Sequence, residues 1–286
     1  MTLNPLANLD GNAWVTRAGV RFAEAHVSDH LDKCKQCRGS GLARVERPSG
    51  SAEMVPCPCE ITEIRRRVAL YNRAQIPPRF HRAQIDRYEA RNQAQLTVKQ
   101  TLVRIRDSFQ GSLGLGLHGP PGVGKTHLLT ALAGWMTLVG GKEVIYADFS
   151  TLIAELRAGF DRGVGENRLI EPIANVQVLM IDELGKGRAS EWEKGVIDRI
   201  VSHRYNAQLP TFYATNYSIP DQSVFEGEFG ESLRSRLGAR VWSRLQEMST
   251  PTYLVGPDFR MRQPSQPPQA KSGSPRGVQA VPSRRG

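Results

Sequence analysis

One short segment constrains the fold of this chain more than any other, and it reads Gly119-Pro120-Pro121-Gly122-Val123-Gly124-Lys125-Thr126. It has the G-x-x-x-x-G-K-T spacing of a phosphate-binding loop, and apolar stretches at 113–118 and 127–138 predict the strand and helix that such a loop joins. Glycines allow backbone N–H groups to turn toward a phosphate, and the helix start adds partial positive charge. The sequence therefore predicts an ATP site from Gly119 to His127, in which Lys125 reaches the β- and γ-phosphates and Thr126 binds Mg²⁺.

Polar side chains follow two later apolar stretches. Asp182 and Glu183 come directly after residues 178–181, and Asn216 follows residues 211–215. In a parallel sheet the carboxyl ends of such strands lie beside the phosphate loop. We therefore expect Asp182 to hold Mg²⁺ through water and Glu183 to polarise the attacking water. Asn216 is predicted to lie between these acids and the γ-phosphate; the alternative is an ordinary turn residue, since Asn is common in turns.

Strand and helix patterns alternate along most of the chain. Strands are predicted at 113–118, 143–147, 176–181, 211–214 and 252–255, with helices between them. This alternation is typical of an α/β fold with a parallel five-stranded sheet and helices on both faces. We predict three parts: a cysteine-containing module at 1–75, a nucleotide-binding domain at 76–262 and a disordered basic tail at 263–286.

The first part holds a candidate metal site made by all the cysteines of the chain, which are Cys34, Cys37, Cys57 and Cys59. The first two belong to a C-x-x-C-x-G-x-G knuckle, and four thiolates suit a tetrahedral structural Zn²⁺. The second pair is C-x-C, which is shorter than usual, so His26 and His30 are alternative ligands. A redox pair and a metal-free module remain as alternatives.

The formal net charge is +10. This excess favours a polyanionic partner such as nucleic acid, although a basic protein without that role is the alternative. No apolar run is long enough to cross a membrane and the N-terminus has no signal pattern, so a cytoplasmic location and no membrane partner are expected.

Three arginines, Arg236, Arg240 and Arg244, recur every four residues. The spacing predicts that they share one helix face. Such a face is either paired with acids, or it reaches the ATP site of a neighbouring copy as an arginine finger.

Together these segments resemble the DnaC/DnaI-type bacterial helicase loaders, which are AAA+ ATPases. The matching residues are Ile76-Pro77-Pro78-Arg79-Phe80, the phosphate loop with His127, Val178 to Gly185, Thr215-Asn216, Leu237 to Leu245, and Asp258-Phe259-Arg260. The resemblance implies an AAA+ domain without a full lid domain and self-association through ATP sites. It makes Arg244 the arginine finger with Arg240 beside it, Asn216 the sensor of the γ-phosphate, and Arg260 a nucleotide contact.

The same resemblance implies loading of a hexameric DnaB-type replicative helicase, contacted by the N-terminal zinc module, onto single-stranded DNA. The implied DNA-binding residues are Arg157, Phe160, Arg162, Ser190 and Trp192, because aromatic rings stack on bases and arginines hold phosphates. Core packing is the alternative for each ring. Two other functions stay open: an IstB-type helper that delivers a transposase to target DNA, and an ATP-switched adaptor with negligible hydrolysis.

Overall fold

The computed structural model describes residues 14–17, 20–27, 34–48, 50–109, 111–219 and 230–261. The predicted tail at 263–286 and the alternative ligand His30 lie outside the described residues. None of the described helices is long and apolar enough to cross a membrane.

Two antiparallel hairpins and a helix come first. Strand β1 (Trp14–Arg17) pairs with β2 (Val20–Ala23), and β3 (Leu42–Glu46) pairs with β4 (Ala52–Pro56). Helix α1 (Ile61–Arg73) follows. Its apolar residues recur at helical spacing, so one stripe of the helix is buried.

The main sheet has five parallel strands in the order β6-β7-β8-β5-β9. They are β5 (Gly114–His118), β6 (Val144–Asp148), β7 (Val178–Asp182), β8 (Thr211–Thr215) and β9 (Ser249–Tyr253). All five predicted strands and the α/β class are confirmed. The last strand begins at Ser249, before the predicted 252–255, because its pairing with β5 starts where Ser249 lies opposite Gly114. The buried Ser249 hydroxyl reaches past Gly114 and donates to Thr211 O of β8.

Helices cover both faces of this sheet. They are α2 (Gln93–Ser108), α3 (Lys125–Leu138), α4 (Phe149–Asp161), α5 (Glu166–Asn175), α6 (Glu191–Asn206), α7 (Leu233–Leu237) and α8 (Ala239–Met248). Side chains of a strand alternate between faces, so Met180 packs in one core with α3, whereas Leu179 and Ile181 pack in the other. Both faces of β7 are buried, which explains why its residues Val178 to Ile181 are all apolar.

Helix α1 connects the cysteine region to the sheet domain. Ile61 packs with the cysteines at one end, whereas Tyr71 packs in the sheet core at the other. Beyond the helix, Ala74 O accepts from Tyr146 N at 2.9 Å, and Ile76 O accepts from Ala23 N at 2.7 Å. The domain boundary after residue 75 stays a prediction. Helix α1 lies before that boundary but packs against both the cysteine region and the core of the sheet domain.

The arginine repeat does not form one helix face, so that prediction is wrong. Gly238 has φ 89° and ψ 154°, which ends α7 at Leu237 and starts a separate helix α8 at Ala239. A glycine adopts this left-handed φ without the steric penalty of a side chain. Arg236 therefore lies on α7, while Arg240 and Arg244 lie on α8.

Candidate nucleotide-binding site

A cavity of about 430 Å³ opens at the carboxyl ends of β5, β7 and β8, beside the phosphate loop. Its lining residues are Arg79, Phe80, Arg87, Tyr88, Glu89, Pro121, Gly122, Gly124, Lys125, Thr126, His127, Asp182, Glu183, Thr215, Asn216, Phe259 and Arg260. Residues that are far apart in the sequence thus converge on one space. The predicted phosphate, magnesium and water-polarising residues are all at this edge of the sheet.

Two glycines of the loop are required by their surroundings. Gly122 and Gly124 have φ +81° and +100°, a region that other residues rarely adopt. A Cβ on Gly122 would lie 1.9 Å from Asp258 Oδ1, and one on Gly124 would lie 2.5 Å from the Tyr88 ring. The loop therefore depends on glycine both for its turn and for the close approach of Asp258 and Tyr88.

The loop is also fixed by hydrogen bonds from outside it. Tyr88 Oη donates to Val123 O at 2.8 Å, and Phe259 N donates to Gly122 O at 3.0 Å. Within the loop, buried Lys125 donates from Nζ to the carbonyls of Gly119 and Pro120 at 2.7 Å each. The ammonium group is therefore held against the loop, at the start of α3 where the helix end favours anions.

Asp182 is almost fully buried at the end of β7. Its Oδ2 accepts from Tyr146 Oη at 2.7 Å, and its Oδ1 accepts from Glu183 N at 3.0 Å. Burial raises the pKa of Asp182, and the hydrogen bonds from Tyr146 and Thr126 oppose that rise. A carboxylate next to a threonine hydroxyl is the oxygen donor set that Mg²⁺ prefers, so Asp182 and Thr126 fit this ion.

Glu183 has the left-handed backbone conformation, with φ 53°. Such a conformation in a residue other than glycine costs free energy and is frequent at functional sites. Its carboxylate forms an ion pair with Lys186. The following Leu184 N donates to Ala214 O at 2.8 Å, and Thr215 Oγ1 donates to Leu184 O at 2.8 Å, so β8 holds the turn. Asn216, next along the chain, faces the same cavity.

The segment Asp258-Phe259-Arg260 closes one side of the cavity. Arg260 lines it, and Arg260 N donates to Asp258 Oδ1 at 2.8 Å. The Phe259 ring lies edge-on to Tyr88, with 5.7 Å between centroids. His127 also lines the cavity, with its ring centroid 6.1 Å from that of Tyr88. Its Nε2 lies 3.3 Å from Gln84 O, and burial lowers the pKa of His127.

The three arginines after β8 lie away from this cavity on the described chain. Arg244 donates from Nη1 to Asp198 Oδ1 at 3.0 Å and is 20% exposed, whereas Arg240 is 72% exposed. Arg236 donates to the carbonyls of Gly185 and Gly187. Arg236 therefore braces the loop after β7, and of the two candidate fingers Arg240 extends furthest into solvent.

The four cysteines form one compact cluster, with all sulfur atoms within 4.8 Å of one another. Cys34 Sγ lies 3.8 Å from Cys57 Sγ, and Cys37 Sγ lies 3.5 Å from Cys59 Sγ. Tetrahedral Zn²⁺ with thiolate bonds of about 2.3 Å separates its sulfurs by about 3.8 Å, so the cluster fits zinc. Amide donors at Cys37 and Gln36 lower the pKa of Cys34 to about 6, whereas burial and the neighbouring thiols raise the pKa of Cys59 to about 12.

Four of the five predicted DNA-binding residues lie together on one surface of the sheet domain, and they are Arg157, Phe160, Ser190 and Trp192. The Phe160 and Trp192 rings are perpendicular with 5.8 Å between centroids, and the Arg157 guanidinium lies 4.7 Å from the centre of the Trp192 ring. Ser190 caps α6 by accepting from Glu193 N at 3.3 Å. Trp192 is 37% exposed, so its ring is available at the surface. Arg162 is exposed just beyond α4.

Several residues of the site carry no motif in the sequence. Tyr146 lies on β6 and Tyr88 in an irregular segment before α2, yet both bond directly to predicted residues of the site. Tyr146 comes next to Asp182 because β6 and β7 are adjacent parallel strands. Asp148 lies directly opposite Asp182, and Tyr146 lies two residues before Asp148 on the same face.

The sequence profile of the family described as IstB-like ATP binding protein matches residues 60–225. The chain belongs to this IstB-like ATP-binding family. The matched region begins just before α1 and contains the phosphate loop, Asp182, Glu183 and Asn216. The matched region thus contains most residues that line the cavity, but not the segment Asp258–Arg260.

Relatives of this IstB-like chain include replicative helicase loaders. DnaC of Escherichia coli strain K12 is 28% identical over 191 residues, which cover 66% of this chain and 77% of that protein. DnaC of Buchnera aphidicola subsp. Baizongia pistaciae is 33% identical over 143 residues, covering 49% and 57%. The resemblance to these loaders is therefore confirmed as homology.

Solved structures agree with this assignment. The crystal structure of the DnaC helicase loader aligns with a TM-score of 0.54 at 32% identity and covers 62% of this chain and 99% of that one. The crystal structure of DnaI has a TM-score of 0.50 at 23% identity, covers 64% and 93%, and supports the fold alone. The AAA+ fold predicted for the IstB-like domain is confirmed.

Proposed function

We propose that the protein is an ATP-dependent loader of a hexameric DnaB-type replicative helicase onto single-stranded DNA. The observation that carries this proposal is the 32% identity to the DnaC helicase loader over 99% of that structure. The cavity beside the phosphate loop supports it, because it holds the groups that ATP binding and hydrolysis need.

In the proposed cycle, the loop N–H groups and Lys125 bind the phosphates of ATP, and Thr126 and Asp182 hold Mg²⁺. Mg²⁺, when bound, neutralises charge on the phosphate oxygens. Phe80, Tyr88 and Phe259 supply aromatic surface on the same cavity, which suits the adenine ring. Arg260 lies on this wall as a further phosphate or ribose contact.

Hydrolysis then proceeds by attack of water on the γ-phosphorus. The bond from the γ-phosphorus to the bridging oxygen breaks, ADP leaves with the electron pair, and the water proton passes to Glu183 and on to phosphate or solvent. Asn216 orients this water. Arg240 and Arg244 complete the site of a neighbouring copy, so that hydrolysis depends on assembly. Breaking its contacts with Asp198 and Ser202 would release Arg244 for this role.

DNA binding is assigned to the surface around Phe160 and Trp192. The rings stack on bases without sequence preference, and Arg157 and Arg162 hold the backbone. The zinc module contacts the helicase. Zinc, when held by the four cysteines, cross-links a segment that has few buried residues of its own.

A loading assay tests the proposal. The replicative helicase of the same organism is mixed with single-stranded circular DNA covered by single-strand binding protein, and unwinding of an annealed strand is measured with and without this protein and ATP. We expect ATP-dependent unwinding with the native protein and none with Lys125→Ala. Native unwinding equal to that of the helicase alone would contradict the proposal.

The family description favours one second candidate, an IstB-type helper of transposition. Such a helper delivers a transposase to target DNA and prefers duplex. Binding to labelled single-stranded and duplex oligonucleotides of the same sequence separates the two functions. A loader binds the single strand more tightly, whereas tighter binding to duplex would favour the helper.

A further inference from the structure

Lys186 lies between the nucleotide cavity and the surface assigned to DNA. Its ammonium pairs with the carboxylate of Glu183, three residues earlier in a tight turn where Lys186 N donates to Glu183 O at 3.0 Å. The pair is accessible, because the side chains of Lys186 and Glu183 are 53% and 31% exposed. One lysine thus faces both the residue assigned to hydrolysis and solvent.

Lys186 also lines a second cavity of about 380 Å³ between α4 and the loop after β7. Its charged residues are Arg157, Asp161, Lys186, Arg188 and Glu193. Glu193 is buried and is already bonded to Arg157 and to the N-terminus of α6. Three basic side chains, Arg157, Lys186 and Arg188, therefore line this cavity, and among the described residues Asp161 is the one acid besides Glu193. Arg157 also lies over the Trp192 ring.

The loop that carries Lys186 is held firmly at its backbone. Arg236 donates to Gly185 O at 3.0 Å and to Gly187 O, on both sides of Lys186, and its guanidinium also pairs with Glu231. The backbone is therefore fixed while the lysine side chain is exposed. A change of partner can therefore take place by rotation of the Lys186 side chain, without movement of the backbone.

We propose that Lys186 is a DNA-operated restraint on ATP hydrolysis: without DNA it holds Glu183, and with DNA it binds a backbone phosphate in the second cavity. This inference rests on the proposed function, since it needs Glu183 to polarise water. While Lys186 donates to one carboxylate oxygen, that oxygen is not available to a water molecule and the side chain is held in one rotamer. A DNA phosphate draws the lysine away and frees the carboxylate.

The energetics allow such an exchange. Ion pairs this exposed contribute little to stability, so the restraint is weak and a competing anion removes it. A DNA backbone offers a row of phosphates, and binding is strengthened by release of counterions when a lysine contacts them. Removing the restraint is therefore expected to raise the turnover without DNA by at most about fivefold.

The test compares Lys186→Ala with Lys194→Ala in the full chain, by steady-state ATPase with and without saturating oligothymidylate. Lys194 is the matched control because it forms an ion pair of the same spacing, with Glu191 at 3.0 Å, on the adjacent helix. We expect DNA to stimulate the native protein and Lys194→Ala. Lys186→Ala is expected to have the higher, DNA-stimulated rate without DNA, with no further rise on DNA addition.

Additional variants identify the route of that activity. The double variant Lys186→Ala with Glu183→Gln is expected to lose turnover, because the released activity runs through Glu183. Binding of a fluorescent ATP analogue, expected unchanged in Lys186→Ala, reports that the variant is folded. If Lys186→Ala keeps the native DNA-free rate and the native stimulation, the restraint is refuted while the loader proposal stands. If the native protein does not hydrolyse ATP under any condition, both are refuted.

Discussion

The hydrogen bond from Tyr146 to Asp182 gives a prediction whose magnitude follows from the structure. Both side chains are buried, and the Oη to Oδ2 distance is 2.7 Å. A hydrogen bond to a charged group contributes about 1.5–3 kcal/mol, and removing it leaves a buried carboxylate oxygen without that donor. Tyr146→Phe is therefore expected to lower the free energy of unfolding by about 1.5–3 kcal/mol at neutral pH.

Tyr213→Phe is the matched control for this change. Tyr213 is fully buried on β8, which pairs with the strand of Asp182, and its hydroxyl has no hydrogen-bond partner within the described part of the chain. Removing that hydroxyl is expected to be neutral or slightly stabilising. Urea unfolding of both variants without nucleotide measures the difference. Equal stability of the two variants would refute the assignment of Tyr146 as the support of Asp182.

The same bond has a defined pH dependence. Burial raises the pKa of Asp182 in the folded protein, so the folded state takes up a proton before the unfolded chain does. Ionised Asp182 therefore reduces stability above its folded pKa, and acidification relieves that cost. Tyr146 stabilises the ionised form, so the deficit of Tyr146→Phe is largest at neutral pH and shrinks as pH falls through this pKa. A deficit that grows on acidification would contradict the reasoning.

Three further predictions concern the other sites. Glu183→Gln is expected to bind ATP like the native protein but to lower turnover by about 100-fold or more, measured by phosphate release; negligible turnover of both proteins would favour the ATP-switched adaptor. Trp192→Ala is expected to weaken oligothymidylate binding by about 1–3 kcal/mol in fluorescence anisotropy, with the exposed Leu113→Ala as a control that leaves it unchanged. Purified protein is expected to contain one zinc per chain by elemental mass spectrometry, and Cys37→Ser to lose it and melt at lower temperature; metal-free native protein would exclude the zinc site.

Much of the fold and site follows from local sequence. The phosphate loop, the acids after β7 and Asn216 each end or follow a strand, and parallel strands bring their carboxyl ends to one edge. The spacing also identifies the two short thiol pairs, and the β3–β4 hairpin brings them to one end as a cluster. These features are local patterns with a fixed consequence in three dimensions.

Other features depend on tertiary packing, which the sequence alone does not reveal. The register of β6 against β7 places Tyr146 near Asp182, and the path of the segment before α2 places Tyr88 under Gly124. The arginine repeat failed as a helix face because a single left-handed glycine, Gly238, separates two helices. The four-residue spacing of the arginines does not reveal such a break, because a single glycine between them leaves the spacing unchanged.

Native mass spectrometry of the purified protein with the replicative helicase of its organism, with and without ATP, tests the central claim most directly. The account predicts a defined complex of this protein with the helicase hexamer, whose stability depends on ATP and is lost in Lys125→Ala. Free helicase hexamer and free protein in both nucleotide states would contradict it.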